Sequence, residues 1–169
     1  MTAIRKTAWR LIGRPLFRLS PHPLYGFRRF LLRLAGMRFG HTVRFRRSVD
    51  IDCPWNVAVG DLTMIGDGVL IRAACPIVIG SRCVISQYCS LLTEARDAGA
   101  PGSPPTGGLI TIGDDCWLAT DTLVLPESTL EPGVVVGARA MVKGRLPSWR
   151  IATGEPAVAR RERVLHAAT

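Results

Sequence analysis

From Val59 the chain reads in sixes: VGDLTM IGDGVL IRAACP and, after two further residues, IGSRCV ISQYCS LLT. A second array from Ile112 reads IGDDCW LATDTL VLPEST LEPGVV VGARAM VKGRLP. Each six opens on an aliphatic residue: Val59, Ile65, Ile71, Ile79, Ile85 and Leu91, then Ile112, Leu118, Val124, Leu130, Val136 and Val142. This period fits neither a helix, which repeats about every 3.6 residues, nor a flat strand, which repeats every second residue. Such a chain gathers its apolar positions into one core only by turning a corner after each short strand. Three sixes then close one triangular coil, and stacked coils form a solenoid.

In such a prism the leading aliphatic points inward. The fifth residue of each six also points inward and must be small, because the corner is narrow. Thr63, Val69, Cys83, Cys89, Cys116, Thr122, Val134 and Ala140 occupy that place. Cys83, Cys89 and Cys116 therefore read as small core residues rather than as nucleophiles or ligands. Gly60, Gly66, Gly80, Gly113, Glu131 and Gly137 fill the second position, where a corner is expected to demand unusual backbone angles. The two arrays amount to roughly four coils.

The flanks differ. Residues 1–47 hold twelve Lys or Arg and no acid, so the net charge of +9 belongs to the N-terminus. Within it, apolar residues recur at helical spacing and Pro21 and Pro23 break the run, which predicts two short amphipathic helices capping the prism. The second helix is expected to bury Phe27, Phe30, Leu31 and Leu34 and to turn Arg28, Arg29 and Arg33 outward. A basic amphipathic cap of this kind also suits contact with an anionic membrane. After the arrays, PSWRIATGEPAVARRERV predicts a strand, a turn at Gly154–Pro156 and a basic tail. No apolar run reaches the roughly 20 residues of a membrane span, and no uninterrupted signal-type core opens the chain, so a cytoplasmic place is expected, peripheral at the inner membrane at most. The five cysteines show no CxxC pair and read as reduced thiols without zinc. The organisation is a helical cap (1–40), a β-helix (41–150) with a loop (94–109), and a C-terminal strand with its tail (151–169).

On the segments SPHPLYGFRRFLLRLAGMRFG, CPWNVAVGD, VISQYCSLLT, WLATDTLVLP, VVVGARAMVKGRLP and GEPA, the chain resembles the hexapeptide-repeat acyltransferases, most closely the colanic acid biosynthesis acetyltransferase type. The resemblance implies an all-β solenoid, a left-handed parallel β-helix whose crossovers depart from the usual right-handed rule. It also implies a homotrimer with sites in clefts between prisms, acetyl-CoA as co-substrate, no metal, and a sugar-containing acceptor. The break between the arrays, SLLTEARDAGAPGSPPTGG, then corresponds to the family's active-site loop, which carries Thr-Gly-Ser-His-Asp or a close variant. Here the matching residues are Thr93, Glu94, Ala95, Arg96 and Asp97, so Arg96 stands where the family has its general-base histidine. A guanidinium stays charged and has no acceptor lone pair, so it cannot take a proton from an alcohol. Glu94, two residues away, is the substitute base on the loop if burial raises its pKa, and a solvated loop acid otherwise.

The resemblance further implies that Trp117, Ala119, Gly137 and Ala138 line the path of CoA, small residues letting pantetheine approach the backbone, although corner geometry alone also accounts for the alanines. Lys143 and Arg145 stand near the family's Thr-Lys, and Arg160, with Arg161 and Arg163, is available for the CoA phosphates or equally makes a solvated tail. Two functions of different kinds follow. One is an acetyl-CoA-dependent O-acetyltransferase of surface-polysaccharide or glycoconjugate assembly, using an altered base or substrate assistance. The other is a catalytically impaired relative serving as a scaffold or as a subunit of a mixed trimer. Nucleic acid is not an expected partner, because the basic residues lack an aromatic-interleaved platform. A metal-dependent carbonic anhydrase of the same fold is excluded, because the repeats contain no histidine.

Overall fold

A computed structural model describes residues 2–96, 101–102 and 105–165 of the chain. Among these, short parallel strands stack on three faces of a left-handed β-helical prism. The first face runs through Arg38–Phe39, Val57–Val59, Ile77–Ile79, Ile110–Ile112, Thr129–Leu130 and Arg145–Leu146. Arg44–Phe45, Met64–Ile65, Val84–Ile85, Trp117–Leu118, Val135–Val136 and Arg150–Gly154 make the second, with Ala157–Glu162 antiparallel at its end. Asp50–Ile51, Leu70–Arg72, Ser90–Leu92, Leu123–Val124 and Met141–Val142 make the third. Leading aliphatics pair directly from coil to coil, Val59 with Ile79, Ile79 with Ile112 and Ile112 with Leu130. All twelve are buried. Each contributes about 1.5–3 kcal/mol by leaving water, and the column they form is the core.

The prism is longer than the aliphatic register indicates. Phe39, Phe45 and Ile51 form a coil beneath Val59, Ile65 and Ile71, with Val43 and Val49 buried in its fifth positions. Aromatic leads among arginines hide this coil from a search for aliphatic repeats. Above, Leu146 and Ala152 continue the first and second faces over Leu130 and Val136.

The corners correct the expectation for the second position. Positive φ falls at the fourth residue of the six, at Leu62, Arg82, Tyr88, Asp115, Asp121, Glu127, Arg139 and Trp149, between 54° and 62°. That conformation costs about 1–2 kcal/mol for a residue with a Cβ. It aims the fourth residue's N–H at the third carbonyl of the coil below: Arg82 N donates to Asp61 O at 2.8 Å, Tyr88 N to Asp67 O at 2.9 Å, and Asp115 N to Ser81 O at 2.9 Å. Glycine at the second position answers a different need, the close approach of coils. A Cβ on Gly80 would lie 2.7 Å from Asp114 N and 2.8 Å from Gly113 C.

The fifth positions are buried as the narrow corner requires, and their polar atoms are used. Thr63 Oγ1 donates to Gly80 O at 2.8 Å, and the thiols of Cys83, Cys89 and Cys116 donate to Gly113, Ala119 and Glu131 carbonyls at 3.1, 3.0 and 3.2 Å. Each reaches the second-position carbonyl of the coil above, so the cysteines serve as small donors. Burial pushes the Cys89 thiol up to about 11. The adjoining Cys83 thiol, together with burial, drives Cys116 upward as well.

At the N-terminus, α-helix Thr2–Ala8, a π-helical turn Trp9–Gly13 and α-helix Arg14–Leu19 run on as one rod, followed by α-helix Tyr25–Leu34. They close the lower end of the prism: Trp9 Nε1 donates to Ile51 O at 2.7 Å, and Arg28 Nε to Phe45 O at 2.8 Å. The second helix is turned only in part as expected: Leu31 is buried and Arg33 exposed, but Arg28, Phe27, Phe30 and Leu34 exchange places. Arg28 is buried while Phe27, Phe30 and Leu34 are exposed, with Leu31 and Leu32 facing the core. The reason is polar: the Arg28 guanidinium also serves Ser20 Oγ and the carbonyls of Pro21 and His22. Desolvation lowers its pKa, while the nearby Tyr25 opposes the shift.

Candidate active site

Thr93 marks where the chain leaves the prism. It is buried at the corner between the third and first faces, its Oγ1 donating to Arg72 O at 2.9 Å and accepting from Cys75 N at 3.0 Å. Beyond it, Glu94–Arg96 pairs antiparallel with Pro105–Gly107, and Gly108 N returns to Thr93 O at 3.0 Å. The loop is therefore a two-stranded arm with a fixed root. Alternation along a strand puts Glu94 and Arg96 on one side of the arm and Ala95 on the other; both are exposed, Ala95 is half-buried, and Asp97 lies outside the described residues. The arm thus carries one carboxylate able to accept a proton and one permanent cation. His22 and His41 lie at the other end, on the helix connection and the lowest coil, where His41 O accepts from Arg29 at 2.7 Å.

A second constellation occupies the corner between the second and third faces. Ala119 and Gly137 are successive second-position residues there, half-buried, and Ala138 is exposed. A Cβ on Gly137 would come 2.7 Å from Thr153 Cγ2 of the next turn, and one on Gly154 would come 3.9 Å from Arg160 Nη2. Small residues therefore run up this corner toward a guanidinium. Trp117, 47% exposed, stands beside it with Nε1 donating to Ser86 Oγ at 3.0 Å. Below, a groove of about 390 Å³ continues along the same edge, lined by Met64, Gly66, Ser86, Gln87 and Tyr88. Sequence reasoning missed this lower groove. Its one signal is Tyr88, a large ring at a fourth position where acids and glycine also stand.

The remaining cations separate. Arg145 lies on the first face, Nε bonded to Glu131 Oε1 at 2.8 Å, while Ser148 N donates to Glu131 Oε2 at 2.8 Å. The Arg145 guanidinium holds the Glu131 carboxyl below its ordinary range. Lys143 is exposed at the corner between third and first faces, two coils above the arm. Arg163 is taken up structurally, Nη1 donating to Asp115 O at 2.5 Å and Gly133 O at 3.0 Å with its guanidinium over Trp149. Within one chain, then, Ala119, Gly137 and Ala138 share one corner, with Trp117 on the adjoining face reaching down to Ser86 and Arg160 beside Gly154 above. The arm with Glu94 and Arg96 sits on the next edge of the prism.

No protein-family profile matches the chain. It is 41% identical over 162 residues to WcaF of Escherichia coli strain K12, a protein that carries the name of a colanic acid biosynthesis acetyltransferase, over 96% of this chain and 89% of the relative. WbbJ of the same strain, named for lipopolysaccharide biosynthesis O-acetyl transfer, is 29% identical over 108 residues, covering 60% of this chain and 55% of WbbJ. Among solved structures, a galactoside acetyltransferase in complex with coenzyme A superposes with a TM-score of 0.89 at 18% identity, over 96% of this chain and 82% of that one. A hexapeptide-repeat acetyltransferase of Vibrio cholerae complexed with acetyl coenzyme A gives 0.84 at 21% identity, over 96% and 88%. At these identities the structures share the fold.

Proposed function

Because the chain belongs to the hexapeptide-repeat, left-handed β-helix acetyltransferases and is close to the WcaF type, we propose that it transfers the acetyl group of acetyl-CoA to a sugar hydroxyl in a polysaccharide or glycoconjugate precursor. The observation that carries this reading is the 41% identity with WcaF spread over 96% of the chain. The corner of small residues fits an extended pantetheine arm, with Trp117 alongside and Arg160 at the end for the phosphates. In the reaction the acceptor oxygen attacks the thioester carbonyl, loses its proton, and CoA leaves as the thiol.

On the arm, Glu94 is exposed rather than buried, so it takes that proton slowly, in place of a positioned base, and Arg96 faces the charge that builds on the carbonyl oxygen, or the anionic group of the acceptor. Arm and corner occupy different edges, so a site built from both needs the arm of one chain beside the corner of another. That is the arrangement of a homotrimer, in the cytoplasm where acetyl-CoA is made. Arg96 also favours a second reading, a subunit that binds acetyl-CoA weakly or idly and completes a mixed trimer with an active relative.

The reading is tested by titrating the protein with acetyl-CoA. Saturable binding is expected, weakened about tenfold or more by Arg160→Glu through loss of a charge-assisted contact and also by Ala138→Trp, which fills the corner. Ala138 is exposed, so the variant should melt like the parent. Unchanged affinity in both variants would move the CoA path elsewhere, and no saturable binding would remove the proposed activity.

A further inference from the structure

The N-terminal helices press one side against the lowest coil and leave an apolar side uncovered. Ile12, Leu16 and Leu34 are 63%, 45% and 75% exposed, and they rim one cleft of about 300 Å³ between the helical rod and helix Tyr25–Leu34, with Trp9 and Trp55 in its walls. Leu11, Leu19 and Phe30 add 64%, 80% and 62% exposed apolar side chains on the same two helical segments. The π-helical turn arranges this. It brings Trp9 inward to Ile51 and Phe17 inward to the core, and Gly13 makes room for the indole, since a Cβ there would lie 2.1 Å from Trp9 Cε3.

Charge specifies what can cover such a surface. Lys6, Arg10, Arg18 and Arg33 are exposed on these helices, and among the described residues no carboxylate forms an ion pair with any of them. The first acid in the chain is Asp50, and Arg14 engages it. No helix among the described residues is long and apolar enough to cross a membrane. Apolar side chains interleaved with unneutralised cations on surface helices suit the boundary between acyl chains and anionic headgroups.

We propose that the lower end of the prism docks on an anionic lipid bilayer, with the rim of the cleft entering the acyl region and Lys6, Arg10, Arg18 and Arg33 at the headgroups. Docking of this kind stands independently of the acetyl-transfer reading.

Vesicle co-sedimentation of the full chain tests it, with phosphatidylcholine alone and with phosphatidylcholine mixed with phosphatidylglycerol. Binding is expected only to the mixed vesicles, fading as the Debye length falls below the ~10 Å of 0.1 M salt. Replacing Lys6, Arg10 and Arg18 by Gln should weaken binding about fivefold for each charge removed, and Ile12→Ser with Leu34→Ser about tenfold or more through lost apolar insertion. All five side chains are exposed, and an unchanged melting temperature confirms that the variants are folded. Absence of binding to the mixed vesicles at low salt overturns the proposal. So does binding that ignores Ile12→Ser and Leu34→Ser, or a change of oligomeric state in those variants without a change in vesicle binding, which would assign the surface to a second copy of the chain.

Discussion

Arg96→His should raise acetyl transfer to a sugar acceptor by ~10²–10⁴, the usual worth of a positioned general base, or about 3–5 kcal/mol of barrier. The substitution exchanges a group that cannot accept a proton for one that can, on an arm whose root is already fixed by Thr93 and its contacts to Arg72 and Cys75. The gain should carry its own pH signature. Neutral imidazole is the active form, so the added rate should grow as pH rises through about 6.5, while the parent lacks that limb. Equal rates in both proteins with acetyl-CoA affinity intact would mean that the arm lacks more than its base. A fall in rate would assign Arg96 a part of its own, in holding an anionic acceptor or the oxyanion.

Gly80→Ala should destabilise the prism by about 3 kcal/mol, close to the upper range for forcing volume into a packed interior. The added methyl meets backbone, Asp114 N at 2.7 Å and Gly113 C at 2.8 Å, as well as the Asp114 carboxylate. Relief requires prising one coil off the next. The bonds at stake are Gly80 N to Ile112 O at 2.7 Å, Ser81 N to Asp114 Oδ1 at 2.8 Å and Asp115 N to Ser81 O at 2.9 Å. A melting temperature lower by roughly 6–12 °C is expected for a chain of this size. Gly26→Ala is the contrast. Nothing lies within 4 Å of a Cβ there, and its place in helix Tyr25–Leu34 makes alanine the better residue by ~0.5–1 kcal/mol. An unchanged melting temperature for Gly80→Ala would contradict the account of the corners, and a lowered one for Gly26→Ala would contradict the account of that helix.

Much of the prism is legible because its core obeys one rule along the chain: an aliphatic lead at every sixth residue and a small fifth. Features set by contacts between coils are harder to read. The left-handed residue sits at the fourth position because its N–H must reach the coil below, and Leu62, Tyr88 and Trp149 do not advertise such a backbone. The lowest coil falls within the 41–150 β-helix but for Arg38–Phe39, yet its sixes do not show, because Phe39 and Phe45 take the aliphatic places. Arg28 is misread because helical spacing records apolarity, whereas the carbonyls of Phe45, Pro21 and His22 that draw the guanidinium inward come from elsewhere in the fold. At the site, the break after Leu92 is plain. The arm's return strand is not, since Pro105–Gly107 contains proline and glycine and shows no apolar alternation. Nor can spacing reveal that Trp117 meets Ser86, thirty-one residues apart and one coil away.

Transfer itself is the most direct test of the central claim. Purified protein is incubated with acetyl-CoA labelled in the acetyl group and with a panel of nucleotide-linked, lipid-linked and free oligosaccharide acceptors, and free CoA thiol and labelled sugar ester are followed together. The account predicts release of CoA in step with formation of a base-labile O-acetyl ester on one class of acceptor, slow in the parent and faster in Arg96→His. Intact acetyl-CoA and no ester with either protein, although acetyl-CoA binds, would contradict it and leave a subunit that holds the co-substrate without using it.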